Sequence, residues 1–151
     1  MNEALELQQG MNILEVGAGS GYHAATIAET VGDRGHVFAI EYLDKLIAIA
    51  RNNLSRSGYS DFVTLVQGDG SLGYIDRAPY DRILVTAAAP KIPPTFLEQL
   101  KPEGILVLPV GGKMFPQELV RIRKKSDGTW DREPMGGVAF VPLVGKYGFS
   151  D

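Results

Sequence analysis

The sequence has no cysteine, two histidines and one tryptophan among its 151 residues. Lack of cysteine removes disulfides, a thiolate nucleophile and any cysteine-based zinc site, a usage that suits a reducing cytoplasm. The two histidines, His23 and His36, sit in no group of acidic residues at ligand spacing, so no metal site is expected. They read as a helix-start residue and a strand-edge residue rather than as a catalytic pair. Basic residues do not dominate: 15 Lys and Arg face 18 Asp and Glu, for a formal charge of −3. That balance argues against a nucleic-acid partner held by phosphate neutralisation. No apolar run approaches the roughly 20 residues of a bilayer-spanning helix, which argues against a membrane partner. The opening Met1-Asn2-Glu3-Ala4-Leu5-Glu6-Leu7 lacks the basic start of a secretory leader.

What is present is an ordinary globular composition, 44% hydrophobic and 22% charged, with 18 glycines. The length fits one domain over residues 1–151. Apolar runs alternate with helical patterns. Asn12–Val16, His36–Ile40, Phe62–Val66, Arg82–Thr86 and Ile105–Leu108 read as strands, near-continuously apolar as in a parallel sheet covered on both faces. Helices are expected from about Ala24 to a stop at Gly32, from Leu43 to Gly58, and from Pro93 to Leu100. Glu118–Arg123 and Val138–Val144, with no helix between them, are expected to form a C-terminal antiparallel hairpin. The class is α/β. Arg121, Arg123, Lys124, Lys125 and Arg132 read as a solvated charge group guarding that edge, and Trp130 as a cover for the hairpin connection.

The most informative stretch is Glu15-Val16-Gly17-Ala18-Gly19-Ser20-Gly21-Tyr22, set between a strand and a helix. Glycines there permit a sharp turn and close approach of a ligand to the backbone. The bland alternative is a tight connection and nothing more. A dinucleotide fingerprint wants glycine or alanine where Tyr22 stands, and the Gly-Lys-Ser/Thr of a triphosphate site is missing. Acidic Glu15 would repel phosphates but could face an ammonium group. The spacing therefore favours a cationic, phosphate-free ligand, S-adenosylmethionine. Glu41, ending the second strand, can accept hydrogen bonds from both ribose hydroxyls; otherwise it is a helix-start acid favoured by the helix dipole. Asp69 could accept from the adenine amino group, or be a plain turn acid. A nicotinamide-dependent oxidoreductase and a non-catalytic binding fold remain as competing readings.

A wider set of motifs sharpens this: Gly68-Asp69-Gly70, Ala78-Pro79-Tyr80-Asp81, Val85-Thr86-Ala87-Ala88-Ala89-Pro90, Leu100 through Gly111, and Phe140-Val141-Pro142-Leu143. With them the chain resembles the protein-L-isoaspartate O-methyltransferase family from about Leu7 to Phe149. The resemblance implies a Rossmann-like class I methyltransferase: a doubly wound, mostly parallel seven-stranded sheet with one reversed strand. It implies methyl transfer from S-adenosyl-L-methionine, leaving S-adenosyl-L-homocysteine, to the free carboxyl of L-isoaspartyl residues in damaged proteins and peptides. That is a repair step, because the ester cyclises to a succinimide that can reopen to aspartate. By position, the cofactor residues would be Glu15, Gly17, Ala18, Gly19, Ser20, Gly21, Tyr22, Glu41, Tyr42, Asp69, Gly70 and Thr86. Ala87, Ala88, Val141, Pro142 and Leu143 would meet the substrate, and Val144 and Phe149 would add cofactor contacts. Without the resemblance, Val141 to Leu143 is an edge strand ending at a proline.

An isoaspartyl carboxylate is ionised near pH 7 and needs no general base, so the missing catalytic triad is no objection. The family's Ser/Thr-containing loop with its Ser-Ala-Pro-His core is not found here, and no catalytic side chain is identifiable. The chain is expected to lack the family's N-terminal segment, with Asn2 to Gln8 the remnant of its last helix. An open face and dimerisation through it are expected to follow, as is a truncated, catalytically impaired cofactor-binding domain as the alternative function.

Overall fold

In the computed structural model, which describes residues 1–114 and 116–150, alternate side chains of each central strand serve two separate apolar layers. Strand β1 (Asn12–Val16) sends Ile13 to one face and Leu14 and Val16 to the other. The first face carries helices α1 (Asn2–Leu5), α2 (Tyr22–Val31) and α3 (Asp44–Ser57), which bury stripes such as Ala24-Ile27-Ala28-Val31 and Ile47-Ala50-Leu54. The second face carries α4 (Pro94–Gln99) and two short 3-10 turns, Gly70–Leu72 and Ile75–Arg77, packed on Phe38, Tyr80, Phe96 and Leu106. Helices α2 and α3 end where expected, at Gly32 and at Gly58. Gly58 takes a left-handed φ of 86° that lets it and Tyr59 donate back to the last turn.

The remaining strands are β2 (His36–Glu41), β3 (Val63–Gln67), β4 (Tyr80–Val85), β5 (Leu100–Gly111), β6 (Gln117–Lys124) and β7 (Trp130–Val138). They form one sheet in the order β3-β2-β1-β4-β5-β6-β7, in which β6 alone runs against the others. This is the doubly wound, mostly parallel sheet with one reversed strand that the resemblance implies. Its order reverses between β1 and β4, and such a reversal opens a crevice at the carboxyl ends of the strands.

Three expectations need correction. The hairpin partner of β6 is Trp130–Val138 and not Val138–Val144, because the turn closes early: Lys125 N–H donates to Thr129 C=O at 2.6 Å around Gly128. Residues 139–144 leave the sheet and cross back over the carboxyl ends of the central strands. Trp130 therefore opens β7, opposite Lys124, rather than covering the connection. Nor is most of the basic group free, although Arg132 stays exposed. Arg121 pairs with Glu6 and Glu133, and Arg123 with Glu6. Lys124 Nζ donates to the carbonyls of Leu97 and Leu100 at the end of α4. With Arg82, which donates to the carbonyls of Leu5 and Glu6, these side chains dock both α1 and α4 on the sheet. Strand β5 is longer than its apolar core, with an irregularity around Pro102-Glu103-Gly104 at which Glu103 takes φ 69°.

Candidate functional site

The crevice at the order reversal is a cavity of about 450 Å³, within the usual range for small-molecule sites. Its floor is the end of β1 with its glycine loop, Val16, Gly17 and Gly19; one wall is the end of β2, Ile40 and Glu41, continuing through Tyr42, Leu43 and Leu46. Gly70, Thr86 and Ala87 close the back, and Val141 to Val144 form the facing wall.

Each wall has a local cause. Gly17 and Ala18 donate to the Ile40 carbonyl at 2.8 and 3.0 Å, so the loop hugs the end of β2. Gly17 sits at φ 95°, and a Cβ there would lie 2.5 Å from the Thr86 hydroxyl, which donates to the Gly17 carbonyl at 2.8 Å. No other residue fits that position. Glu41 Oε1 accepts from Gly19 N–H at 2.9 Å and Oε2 from Leu43 N–H at 3.1 Å, leaving each oxygen a further lone pair. The 141–143 strap is paired with the loop after β4: Ala88 N–H donates to Val141 C=O and Leu143 N–H to Ala88 C=O, both at 2.8 Å. Buried Gln117 anchors the strap, its Oε1 accepting from Phe140 N–H at 2.7 Å while Nε2 donates to Phe140 C=O at 3.0 Å.

Of the residues expected at the site, Gly17, Gly19, Glu41, Tyr42, Gly70, Thr86, Ala87, Val141, Pro142 and Leu143 do share this cavity. Others fall elsewhere. Ser20, Gly21 and Tyr22 line a second cavity between α2 and α3, on the far side of the loop. Tyr22 is 73% exposed there. Gly21, one residue earlier, makes the close packing, since a Cβ on it would reach Leu54 and Ala50 at 3.3–3.4 Å. Ala18 and Ala88 are buried behind the lining. Asp69 also lies outside it, as a clip: Oδ1 accepts from Ser71 N–H and hydroxyl, and Oδ2 from Lys146 N–H, at 2.9, 2.6 and 2.9 Å. Glu15 lies beneath the loop, fully buried, with neither oxygen hydrogen-bonded. Burial first, and then the charge of Glu41, pushes its carboxyl up to about 8.

Sequence reasoning missed the apolar lining by Leu43 and Leu46, assigned to the helix stripe, and the anchoring role of Gln117. The exposed lip at Leu43 follows directly on Glu41-Tyr42 and was readable as a continuation of that wall. Glu41 is the sole charged side chain among the described lining residues, and none of them is a cation. A phosphate-bearing ligand would find a negative charge and nothing to neutralise it. A nucleoside with a cationic tail would find a ribose acceptor, apolar walls for a base, and a backbone without side chains to approach.

The family model for protein-L-isoaspartate(D-aspartate) O-methyltransferase matches residues 1–148. The chain belongs to that family. A protein-L-isoaspartate O-methyltransferase from Methanosarcina mazei is 52% identical across 99% of this chain. One from Methanopyrus kandleri is 52% identical across all of it. The chain spans 60% and 66% of their respective lengths. Among solved structures, a protein-L-isoaspartate O-methyltransferase superposes with a TM-score of 0.88 at 33% identity, covering 97% of this chain and 46% of that one. A Plasmodium falciparum structure described as the same enzyme in complex with S-adenosyl-L-homocysteine gives 0.81 at 23% identity, covering 91% and 67%. At that identity it supports the fold alone.

Proposed function

We propose that this chain binds S-adenosyl-L-methionine in the crevice and methylates the free carboxyl of L-isoaspartyl residues in proteins and peptides. The single observation that carries the cofactor half is the joint use of Glu41, bonded to the glycine loop yet with lone pairs open to the cavity, in a lining without a cation. Gly17 and Gly19 keep the approach clear, Glu41 would take the ribose hydroxyls, and Ile40, Leu43 and Leu46 would enclose the base. When bound, the cofactor supplies a sulfonium methyl as the electrophile.

The rest falls to positioning. A substrate carboxylate is ionised at neutral pH and needs no base. The strap residues Val141, Pro142 and Leu143 pair beside Ala88, and the carbonyl of Pro142 has no hydrogen-bond partner among the described residues. They would align a peptide along the cavity, and Thr86 and Ala87 would border the reacting atoms. Proximity and exclusion of water are the rate-enhancing effects such a site can supply.

The open lip, with Val141 71%, Leu43 53% and Tyr42 45% exposed, favours a second reading in which the cofactor binds but transfer is impaired. Radiolabelled methyl transfer to an isoaspartyl peptide separates the two. Incorporation above an aspartyl control supports the enzyme; cofactor binding without incorporation supports the second reading. A cytoplasmic location, a single domain, the absence of membrane or nucleic-acid partners, and a dimer through the lip belong to the same proposal. No helix among the described residues is long and apolar enough to cross a membrane. A stable monomer in light scattering at high concentration would refute the dimer.

A further inference from the structure

The second cavity, about 560 Å³ between α2 and α3, takes no part in the proposed reaction, and none of its described lining residues is shared with the crevice. Its volume suits a small ligand. The facing stretches of the two helices are short-chained in the middle, with Ala25 and Thr26 on α2 and Ser57 on α3, over the buried Leu54. A hydrogen bond marks each end. Beside the exposed ring of Tyr22, Asn53 Nδ2 donates to the Ser20 carbonyl at 3.0 Å. Seven positions further along α2, roughly 10 Å on, Glu29 Oε2 accepts from Tyr59 O–H at 2.5 Å.

The two ends differ in charge. Helix α2 stops at Val31 and α3 at Ser57, so both bring their carbonyl-rich, partly negative ends to Glu29 and Tyr59. No basic residue stands in the last turn of α2, and Arg56, in that of α3, does not line the cavity. Glu29 is the sole charged side chain among the described lining residues and enters no ion pair among them. Its short bond to Tyr59 is charge-assisted, and the Tyr59 ring is braced edge-on by Phe62 at 6.5 Å between centroids. The carboxylate is therefore held in place before a ligand arrives, with Oε1 free of any donor among the described residues. An anion is repelled there, and a neutral ring leaves the charge unanswered. We propose that this cavity is a second ligand site, for a small ring-bearing organic ammonium: the cation pairs with Glu29 beside Tyr59, and the ring stacks on Tyr22. This assignment stands apart from the cofactor reading and goes beyond it.

The test is an amide NMR titration of the full chain with three indoles of similar length: tryptamine, which carries an ammonium, the neutral indole-3-ethanol and the anionic indole-3-propionate. Tryptamine is expected to shift the amides of Ala25, Glu29 and Ser57 and to leave those of Leu46 and Val141, which line the crevice, in place. It is expected to bind about tenfold tighter than the alcohol, the size of one charge-assisted hydrogen bond, with the propionate weakest. The variant Glu29→Gln, which keeps an acceptor for Tyr59, is expected to erase that preference. Tyr22→Ala is expected to weaken amine and alcohol alike. Shifts at Leu46 and Val141 instead would put the amine in the crevice and overturn the proposal while leaving the cofactor reading intact. Equal binding of the three indoles, an undiminished preference in Glu29→Gln, or no response to millimolar tryptamine each overturns it as well.

Discussion

The two ends of the sheet are built on different physical terms. Strand β1 buries four of its five residues and β2 five of its six, whereas β7 buries none of its nine. The central strands are held by apolar layers on both faces. Of the β6–β7 hairpin, β6 sends Val120 and Ile122 into the core, whereas β7 is held by its ladder, by Arg121 with Glu133, and by Lys125 with Asp131. Yet the poorly buried end carries the facing wall of the site, because the chain leaving β7 becomes the strap over the cavity. A rigid floor and a lightly held wall would suit the proposed binding of a nucleoside and a bulky peptide.

That contrast can be broken by substitution. Leu84→Ala, in the middle of β4 and fully buried, is expected to cost about 2–5 kcal/mol in urea denaturation. Met135→Ala on β7, 38% exposed, is expected to stay within about 0.5 kcal/mol. Similar costs at the two positions would show β7 to be part of the core.

The next effect is in pH. Folding raises the Glu15 carboxyl from 4.5 to about 8, so the folded state binds the extra proton between those values. Stability of the unliganded chain is then fullest below about pH 4.5 as far as this group is concerned. It declines as the pH rises towards 8, by roughly 1.4 kcal/mol for each pH step of one and a few kcal/mol in all. Melting temperatures from pH 5 to 8 should fall in the parent and flatten in Glu15→Gln. Parallel curves would disprove the linkage.

Gln117→Ala is expected to cost about 1–3 kcal/mol, since it leaves Phe140 N–H and C=O without partners. Hydrogen exchange should quicken across 140–143 and remain unchanged in β1; uniform loosening would mean that wall and floor are one unit. Smallest is the hairpin pair: removing Arg121–Glu133 by a double-mutant cycle should show a coupling of roughly 0.2–1 kcal/mol, diminished by salt.

The legibility of the sequence follows the same division. Strands β1, β2, β4 and β5 were readable because burial on both faces writes itself as a continuous apolar run, and edge strand β3, only partly buried, was still signalled by Phe62-Val63 and Leu65-Val66. Strand β7 was not: exposed on nearly every residue and containing Pro134, Gly136 and Gly137, it has neither alternation nor a run. The apolar stretch Val138-Ala139-Phe140-Val141-Pro142-Leu143-Val144 drew the strand assignment instead, although it is apolar for packing over the cavity. At the site, the glycine loop and Glu41 were legible because their spacing is local. Gln117 was not, as its partner lies 23 residues away and nothing in its neighbours signals an anchor. The engagement of Asp69 with Lys146 was hidden for a similar reason, since it spans 77 residues.

The bond from Gly19 to Glu41 has one more consequence. The loop cannot relax without releasing the last side chain of the neighbouring strand, so its shape is fixed during folding rather than on ligand arrival. The ordering entropy that a floppy loop would charge against each binding event has already been met. Loosening that latch should therefore appear chiefly as faster dissociation, with the rate of capture little changed.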